Sequence, residues 1–172
     1  PPLVMGHEFS GRIVALGDQA VRRNPALQTG QAVTVNPMVY CGECEYCTQK
    51  LNHLCTRRRL IGAHRPGAFA SYVSAPAWMV LPLPENLPLR DGALTEPVAC
   101  GVHIAHHAGK VQGETALIIG AGAIGLLTMQ ILFHHGAKQV FIVDTEADRL
   151  AAAAALGGVA LDPRQQDVAR TV

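Results

Sequence analysis

The pattern of hydrophobic and polar positions differs between the first and the second half of the chain. Over about the first 95 residues, short runs typical of β-strands at 11–16, 31–36 and 68–74 are separated by turn residues. This pattern predicts a small antiparallel barrel or sandwich. The proline-rich stretch 81–88 predicts an extended connector, because proline fits neither a helix interior nor a central strand.

From about residue 91 onward, strand-like and helix-like segments alternate. The pattern predicts a helix over 91–107 that restarts at Pro97, strands over 115–119 and 139–143, and helices over 123–135 and 146–156. Thr145 is a candidate N-cap of the last helix and Gly157 its stop. Short links between such elements are typical of a parallel sheet with right-handed crossovers. We therefore expect a mixed α/β chain of two domains, 1–97 and 98–172.

Composition narrows the classes of partner. The chain has 172 residues, of which 49% are hydrophobic, and a formal net charge of +1. This supports a sizeable core and gives no global field favouring nucleic acid or an anionic membrane. No apolar run reaches the roughly 18 residues of a membrane span. The first residues have no signal-peptide pattern, so we expect a cytoplasmic protein with neither nucleic-acid nor membrane partners.

A glycine-rich turn comes after the predicted strand 115–119. Gly120, Gly122 and Gly125 form a G-x-G-x-x-G pattern that opens a helix, and Asp144 ends the next strand 19 residues later. In this context the glycines permit a tight turn and close approach of a pyrophosphate to the helix N-terminus. The acid would accept hydrogen bonds from ribose hydroxyls, which favours NAD over NADP. Arg149 leaves a 2′-phosphate possible, and a tight turn without ligand is the structural alternative.

Four of the five cysteines fall within 15 residues, in the segment 41–55. Short C-x-x-C loops bring sulfurs to one point, as tetrahedral zinc requires, and four thiolates leave no open position. The spacing therefore predicts a structural zinc site, with redox chemistry or disulfides as alternatives. Its ligands would be Cys41, Cys44, Cys47 and Cys55. Cys100 lies in an apolar segment and is expected to be a small buried residue.

The pair His7–Glu8 gains meaning from the motifs downstream of it. "GHEFSG", "CGECEYCTQKLNHLC", "GAFASYV", "EPVACGVH" and "GAGAIG…VD" occur in this order over essentially the whole chain. The chain thereby resembles the zinc-dependent medium-chain alcohol and polyol dehydrogenases, in particular the sorbitol-dehydrogenase-like branch.

The resemblance implies a partial GroES-like β-barrel catalytic domain followed by a partial Rossmann domain. It implies His7 as a ligand of a catalytic zinc, Glu8 as a neighbouring or alternating ligand, and Glu96 holding the zinc directly or through water. It also implies a second, structural zinc on the four cysteines, cofactor contacts from Ile124, Asp144 and Arg149, and a homo-oligomer. The reaction would be hydride transfer between a secondary alcohol, of a polyol or sugar derivative, and NAD.

Two departures from this pattern qualify the expectation. Relatives supply a further zinc-ligating cysteine well upstream of the "GHE" motif, and they continue past the last residue here. We therefore expect a fragment lacking both ends, with little activity as a free chain. A non-catalytic zinc-binding module and a zinc-free quinone reductase relative are the competing hypotheses. For His103, a buried, hydrogen-bonded position is favoured over an approach to the cleft.

Overall fold

The computed structural model describes residues 2–172. It divides into two compact units, one ending at Glu96 and one beginning at Pro97. Among residues 2–172 we find no helix whose length and apolar character would let it span a bilayer.

The first unit is built on a three-stranded antiparallel sheet and a separate two-stranded ribbon. The sheet order is β1–β2–β5, and the ribbon pairs β3 with β4. Val35, Ile61 and Met79 form the buried centre of this unit. Its elements are β1 (Ser10–Arg12), α1 (Asp18–Arg23), β2 (Ala32–Val35), β3 (Met38–Val39), α2 (Glu45–Thr48), β4 (Arg59–Leu60), β5 (Val80–Pro82) and α3 (Leu89–Gly92), with 3₁₀ turns at Asn52–Leu54 and Ala77–Met79.

The strand predictions for this unit had mixed outcomes. The run 31–36 is confirmed as β2, but only the first residues of 11–16 lie in β1. The strand predicted over 68–74 is wrong. The first residues of this run are instead hydrogen-bonded to the segment before His7. The Ala68 and Phe69 amides donate to the Gly6 and Met5 carbonyls, respectively. The connector prediction for 81–88 is also wrong at its start, because Pro82 closes β5.

Pro82 is tolerated there because of its place in the sheet. Pro82 lies on β5, an outer strand of the three, and pairs with Val33 on β2. A proline lacks the N–H that a central strand would need, but at an edge that donor can be dispensed with.

The second unit is a three-stranded parallel sheet with helices between its strands. The order is β6–β7–β8, with Thr115 beside Gln139 and Phe141 beside Val159. Its core includes Met129, Val140 and Ile142, all fully buried. The elements, including the helix that crosses the boundary, are α4 (Thr95–His107), β6 (Thr115–Ile119), α5 (Ala123–His134), β7 (Gln139–Val143), α6 (Ala147–Ala155), β8 (Val159–Leu161) and α7 (Val168–Thr171).

In this unit the hydrophobic pattern was more reliable. The strands at 115–119 and 139–143 are confirmed, and the helices 123–135 and 146–156 are correct to within a residue at their ends. The predicted helix 91–107 is two helices, α3 and α4. Gly157 stops α6 as expected, with φ +92°, and the Gly158 amide bonds to Ala153 in a Schellman arrangement.

Three local predictions are wrong. Thr145 is not the N-cap of α6: Glu146 holds that position without a side-chain cap, and Asp144 accepts the amides of both residues. Cys100 and His103, expected to be buried, are both exposed on α4. The buried residues of α4 form a narrow stripe at Pro97, Gly101 and Ala105, so residues on its other faces are exposed.

Candidate functional site

His7 is positioned by a junction of three glycine backbones. A Cβ on Gly62 or on Gly67 would lie 2.3 Å from the Gly6 carbonyl oxygen, far inside any allowed contact. The approach is fastened by hydrogen bonds, including Gly67 N–H to the Val4 carbonyl at 2.7 Å. Gly6 itself has φ +100°, a conformation that side chains rarely adopt. The sequence therefore fixes the backbone directly before His7.

His7, Glu8 and Glu96 come together, although Glu96 lies far along the chain in the first turn of α4. One ligand atom from each lies within 4.8 Å of the others. His7 and Glu96 are half-buried and Glu8 is exposed. One imidazole nitrogen and two carboxylate oxygens are donors that Zn²⁺ accepts, and three protein ligands leave a position open. The arrangement fits a metal that must also bind substrate.

The four cysteines of the segment 41–55 also converge. Their sulfurs all lie within 4.8 Å of one another, and none of them is in a disulfide. Cys41 Sγ lies 3.9 Å from Cys47 Sγ and 3.6 Å from Cys55 Sγ. Thiolates on a tetrahedral zinc, each about 2.3 Å from the metal, are about 3.8 Å apart. The cluster thus has the dimensions of a closed zinc site, and the disulfide alternative finds no support in the structure.

Backbone amides prepare some of these sulfurs for the thiolate form. The Cys47 amide is the main influence that lowers the pKa of Cys44 to about 6, and the Glu43 amide lowers the pKa of Cys41. Burial acts oppositely on Cys47, raising the pKa of its thiol to about 12. Four thiolates this close repel one another, so full ionisation needs a cation among them.

Arg57 is a member of this cluster that sequence reasoning missed. In the structure Arg57 pairs with Glu43 at 2.7 Å, and the negative charge of Cys41 is the first cause of the raised pKa of its guanidinium. The signal available in sequence was its position two residues after the last cysteine.

The glycine turn between β6 and α5 has a distinct requirement at each glycine. Gly120 has φ +105°, and its amide bonds to the Val143 carbonyl at 2.7 Å. A Cβ on Gly125 would lie 1.9 Å from the Gly120 carbonyl oxygen, so helix and turn touch there. Gly122, the N-cap of α5, has open space where its Cβ would be. A ligand could therefore approach this backbone directly.

Asp144 is tied to the same turn. One of its oxygens accepts the Ala121 amide at 2.8 Å, the other accepts those of Thr145 and Glu146, and Arg149 lies 3.6 Å away. The Glu146 amide, then that of Ala121, are the main causes that lower the pKa of Asp144. The carboxylate is 8% exposed and charged, a fixed negative group at the end of β7.

All six residues predicted to bind a dinucleotide line one cleft. Its volume is about 530 Å³, and apolar side chains from α4 and β6 complete it. The predicted six are Gly120, Gly122, Ile124, Gly125, Asp144 and Arg149. The hydrogen bond that the Ala121 amide donates to Asp144 was not predicted. It makes the acid part of the turn, while Asp144 keeps its place on the cleft wall.

Comparison with known proteins finds sequence similarity to dehydrogenases. Residues 1–85 match the family described as the alcohol dehydrogenase GroES-like domain. Galactitol 1-phosphate 5-dehydrogenase of Escherichia coli K12 is 37% identical over 158 residues, which are 92% of this chain and 44% of that protein. L-threonine 3-dehydrogenase of Legionella pneumophila strain Corby is 38% identical over 156 residues, 91% of this chain and 44% of that protein.

A solved dehydrogenase structure is also similar to this chain in three dimensions. A protein of Sinorhizobium meliloti 1021, designated a zinc-binding dehydrogenase and solved with NADP, superimposes with a TM-score of 0.93 at 37% identity. The match covers 100% of this chain and 49% of that one. The chain thus spans about half the length of the relatives it matches.

Proposed function

We propose that this chain is part of a zinc-dependent medium-chain alcohol or polyol dehydrogenase, and that the whole protein transfers hydride between a secondary alcohol and NAD. Its fold is the expected one, a GroES-like unit followed by a Rossmann-type unit. The observation that carries the proposal is the meeting of His7, Glu8 and Glu96 at metal-binding distance. We assign residues 1–97 to the catalytic domain and 98–172 to the NAD-binding domain.

The catalytic zinc is proposed to bind His7 and Glu96, with Glu8 as an alternating or neighbouring ligand. When bound, Zn²⁺ lowers the pKa of a substrate hydroxyl, which makes the alcohol a better hydride donor. His7 contributes a neutral ring nitrogen, and its position is fixed by the glycine junction behind it. Glu96 contributes an oxygen rather than a sulfur, so the site is harder than a thiolate site.

The nucleotide is proposed to bind the glycine turn and the cleft wall. The open N-terminus of α5 at Gly122 offers amides to the pyrophosphate, and Asp144 offers a carboxylate to the adenosine ribose. Because Asp144 is charged, it would repel a 2′-phosphate, which supports NAD. Arg149, on the same wall, is the residue that would favour NADP, the nucleotide found in the Sinorhizobium relative.

The lobe at 41–55 is proposed to hold a structural zinc through its four cysteines. Its closed set of ligands leaves no position for substrate. Five cysteines without a disulfide suit a reducing compartment, which supports the proposal of a cytoplasmic protein. The family resemblance supports a homo-oligomer, a dimer or tetramer, to be checked on the whole protein by sedimentation.

The test uses the whole protein and a matched set of variants. Metal analysis of the dialysed protein should find two tightly bound zinc ions per chain, and His7→Ala should remove one of them together with alcohol turnover. Cys44→Ser should release the other zinc. One zinc in the unchanged protein, with no oxidation of secondary alcohols, would favour the non-catalytic module instead.

Substrate and cofactor are resolved in the same experiment. Galactitol 1-phosphate and L-threonine, each with NAD and with NADP, form the first panel, and NADH or NADPH absorbance is the readout. Asp144→Ser should shift kcat/KM toward NADP by about tenfold or more, since it removes the charge that opposes a 2′-phosphate. An unchanged preference would contradict the role given to Asp144.

A further inference from the structure

The last two turns of α4 carry three histidines that the proposed function does not use. His103, His106 and His107 are all exposed. The imidazole rings of His103 and His107 lie with their centroids 4.4 Å apart and their planes at 74°. His106 lies farther from His107, at 5.7 Å. The closest pair is thus the one at i and i+4, positions that share one face of a helix.

The spacing of this pair matches that of two imidazoles on one metal ion. With metal–nitrogen bonds of about 2.0–2.1 Å, each ring centroid lies roughly 3.2 Å from the metal. Two such rings at ligand angles between about 90° and 110° have centroids roughly 4.5–5.2 Å apart. The observed 4.4 Å lies just below this range, so rotation of the two exposed side chains is what would turn a nitrogen of each ring toward one ion.

We propose that His103 and His107 chelate a divalent transition-metal ion on the surface of α4. Two histidines at i and i+4 are the helical pair that binds zinc in H-E-x-x-H sites. Val102 and Ile104 flank His103, so no glutamate stands next to the pair and the site binds without hydrolytic chemistry. Water completes the coordination. The site should bind Cu²⁺ more tightly than Ni²⁺ or Zn²⁺.

The position of the pair on the helix favours a cation. His107 is the last residue of α4, where the unpaired carbonyls carry partial negative charge. A metal ion at the final turn is therefore stabilised by the helix as well as by its ligands. This site shares no ligand with the cysteine lobe or with the His7 cluster.

The experiment uses Ni²⁺ as probe and the untagged whole protein with zinc already in the cysteine lobe. Retention on a nickel-charged chelating column and titration calorimetry with NiCl₂ are compared for the unchanged chain, His103→Gln, His107→Gln and His134→Gln. His134 is the matched control: it is also exposed and lies beside His135, but neighbours in sequence do not face one another on a helix, and these rings are 5.9 Å apart.

We expect His103→Gln and His107→Gln each to elute at lower imidazole and to bind Ni²⁺ about tenfold or more weaker, while His134→Gln behaves as the unchanged chain. The double variant should lose little more than either single variant, because one lost ligand already destroys the chelate. His7→Ala should retain the binding, which separates this inference from the proposed function. Equal losses in His134→Gln, or no loss in His103→Gln, would overturn it. Circular dichroism verifies that each variant keeps its helices.

Discussion

Replacing Gly125 by alanine should damage the fold of the second unit, whereas the same change at Gly122 should not. The new Cβ at 125 would lie 1.9 Å from the Gly120 carbonyl oxygen. A carbon normally stays about 3.3 Å from such an oxygen, so α5 and the turn must separate by about 1.4 Å. Both are backbone, and no side chain can rotate away to relieve the contact.

The magnitude is set by two opposing effects. Overpacking of this kind costs about 3 kcal/mol, and alanine returns about 1 kcal/mol as the better helix former. The net loss of about 2 kcal/mol corresponds to a fall in Tm of roughly 8–16 °C for a domain of 60–100 residues. At Gly122 the Cβ meets nothing within 4 Å and φ is −73°, so only a weaker N-cap is expected, worth about 0.5 kcal/mol.

Two measurements separate the fold from the ligand. Urea unfolding followed by circular dichroism gives the free energy of unfolding of each variant, and NADH fluorescence gives cofactor affinity. Gly122→Ala should keep its stability but bind NADH about tenfold or more weaker, because the methyl group occupies the space open to the phosphates. If Gly125→Ala were as stable as the unchanged chain, or if Gly122→Ala lost as much stability, these roles of the two glycines would be refuted.

Other parts of the chain lead to three further predictions. With zinc bound, only exposed Cys100 should react quickly with a thiol reagent, and a chelator should release the remaining four thiols; fast reaction of all five before chelation would contradict a metal-bound lobe. Gly67→Ala, whose Cβ would lie 2.3 Å from the Gly6 carbonyl oxygen, should weaken metal binding at His7 about tenfold or more, whereas Gly11→Ala, with open space around it, should leave it unchanged. Hydrogen bonding to Arg164 is the first cause that lowers the pKa of Asp162 from 3.8 to about 2. The ionised Asp162 carboxylate therefore contributes fully to stability above about pH 4, and this contribution is lost as pH falls toward 2. Asp162→Asn should flatten that part of the plot of unfolding free energy against pH, measured with urea, while Asp167→Asn, an exposed control, should not.

Sequence predicted the second unit better than the first for a physical reason. Strands β6 and β7 are short apolar runs between turn residues, and α5 and α6 come after them at helical spacing, so local pattern and tertiary role agree. The run 68–74 has the same apolar character, yet it makes no strand. Its first amides are taken by the segment before His7, and Phe69 and Tyr72 remain 76% and 75% exposed. Such pairing between distant segments is not visible in local pattern.

The candidate sites show the same division. The cysteine spacing and the glycine turn are local, and the structure brings both sets together as expected. The approach of Glu96 to His7 came only through family resemblance, since nothing in either local sequence specifies it. Neither the contact of Arg57 with the lobe nor the hydrogen bond from the Ala121 amide to Asp144 could be predicted, because each depends on how a loop closes.

The short ribbon of β3 and β4 has a consequence for how the zinc lobe is assembled. Met38 lies beside Leu60 and Val39 beside Arg59, so both ends of the cysteine segment are clasped together at its base. Gathering distant ligands carries the entropic cost of closing the loop between them, and in this structure the strand pairing already holds the two ends of the segment together. The stem is a two-stranded sheet of its own, and Val39 at its base packs against the core of Val35, Ile61 and Met79, so the lobe brings its own closure to the ion while it stays anchored in the first unit.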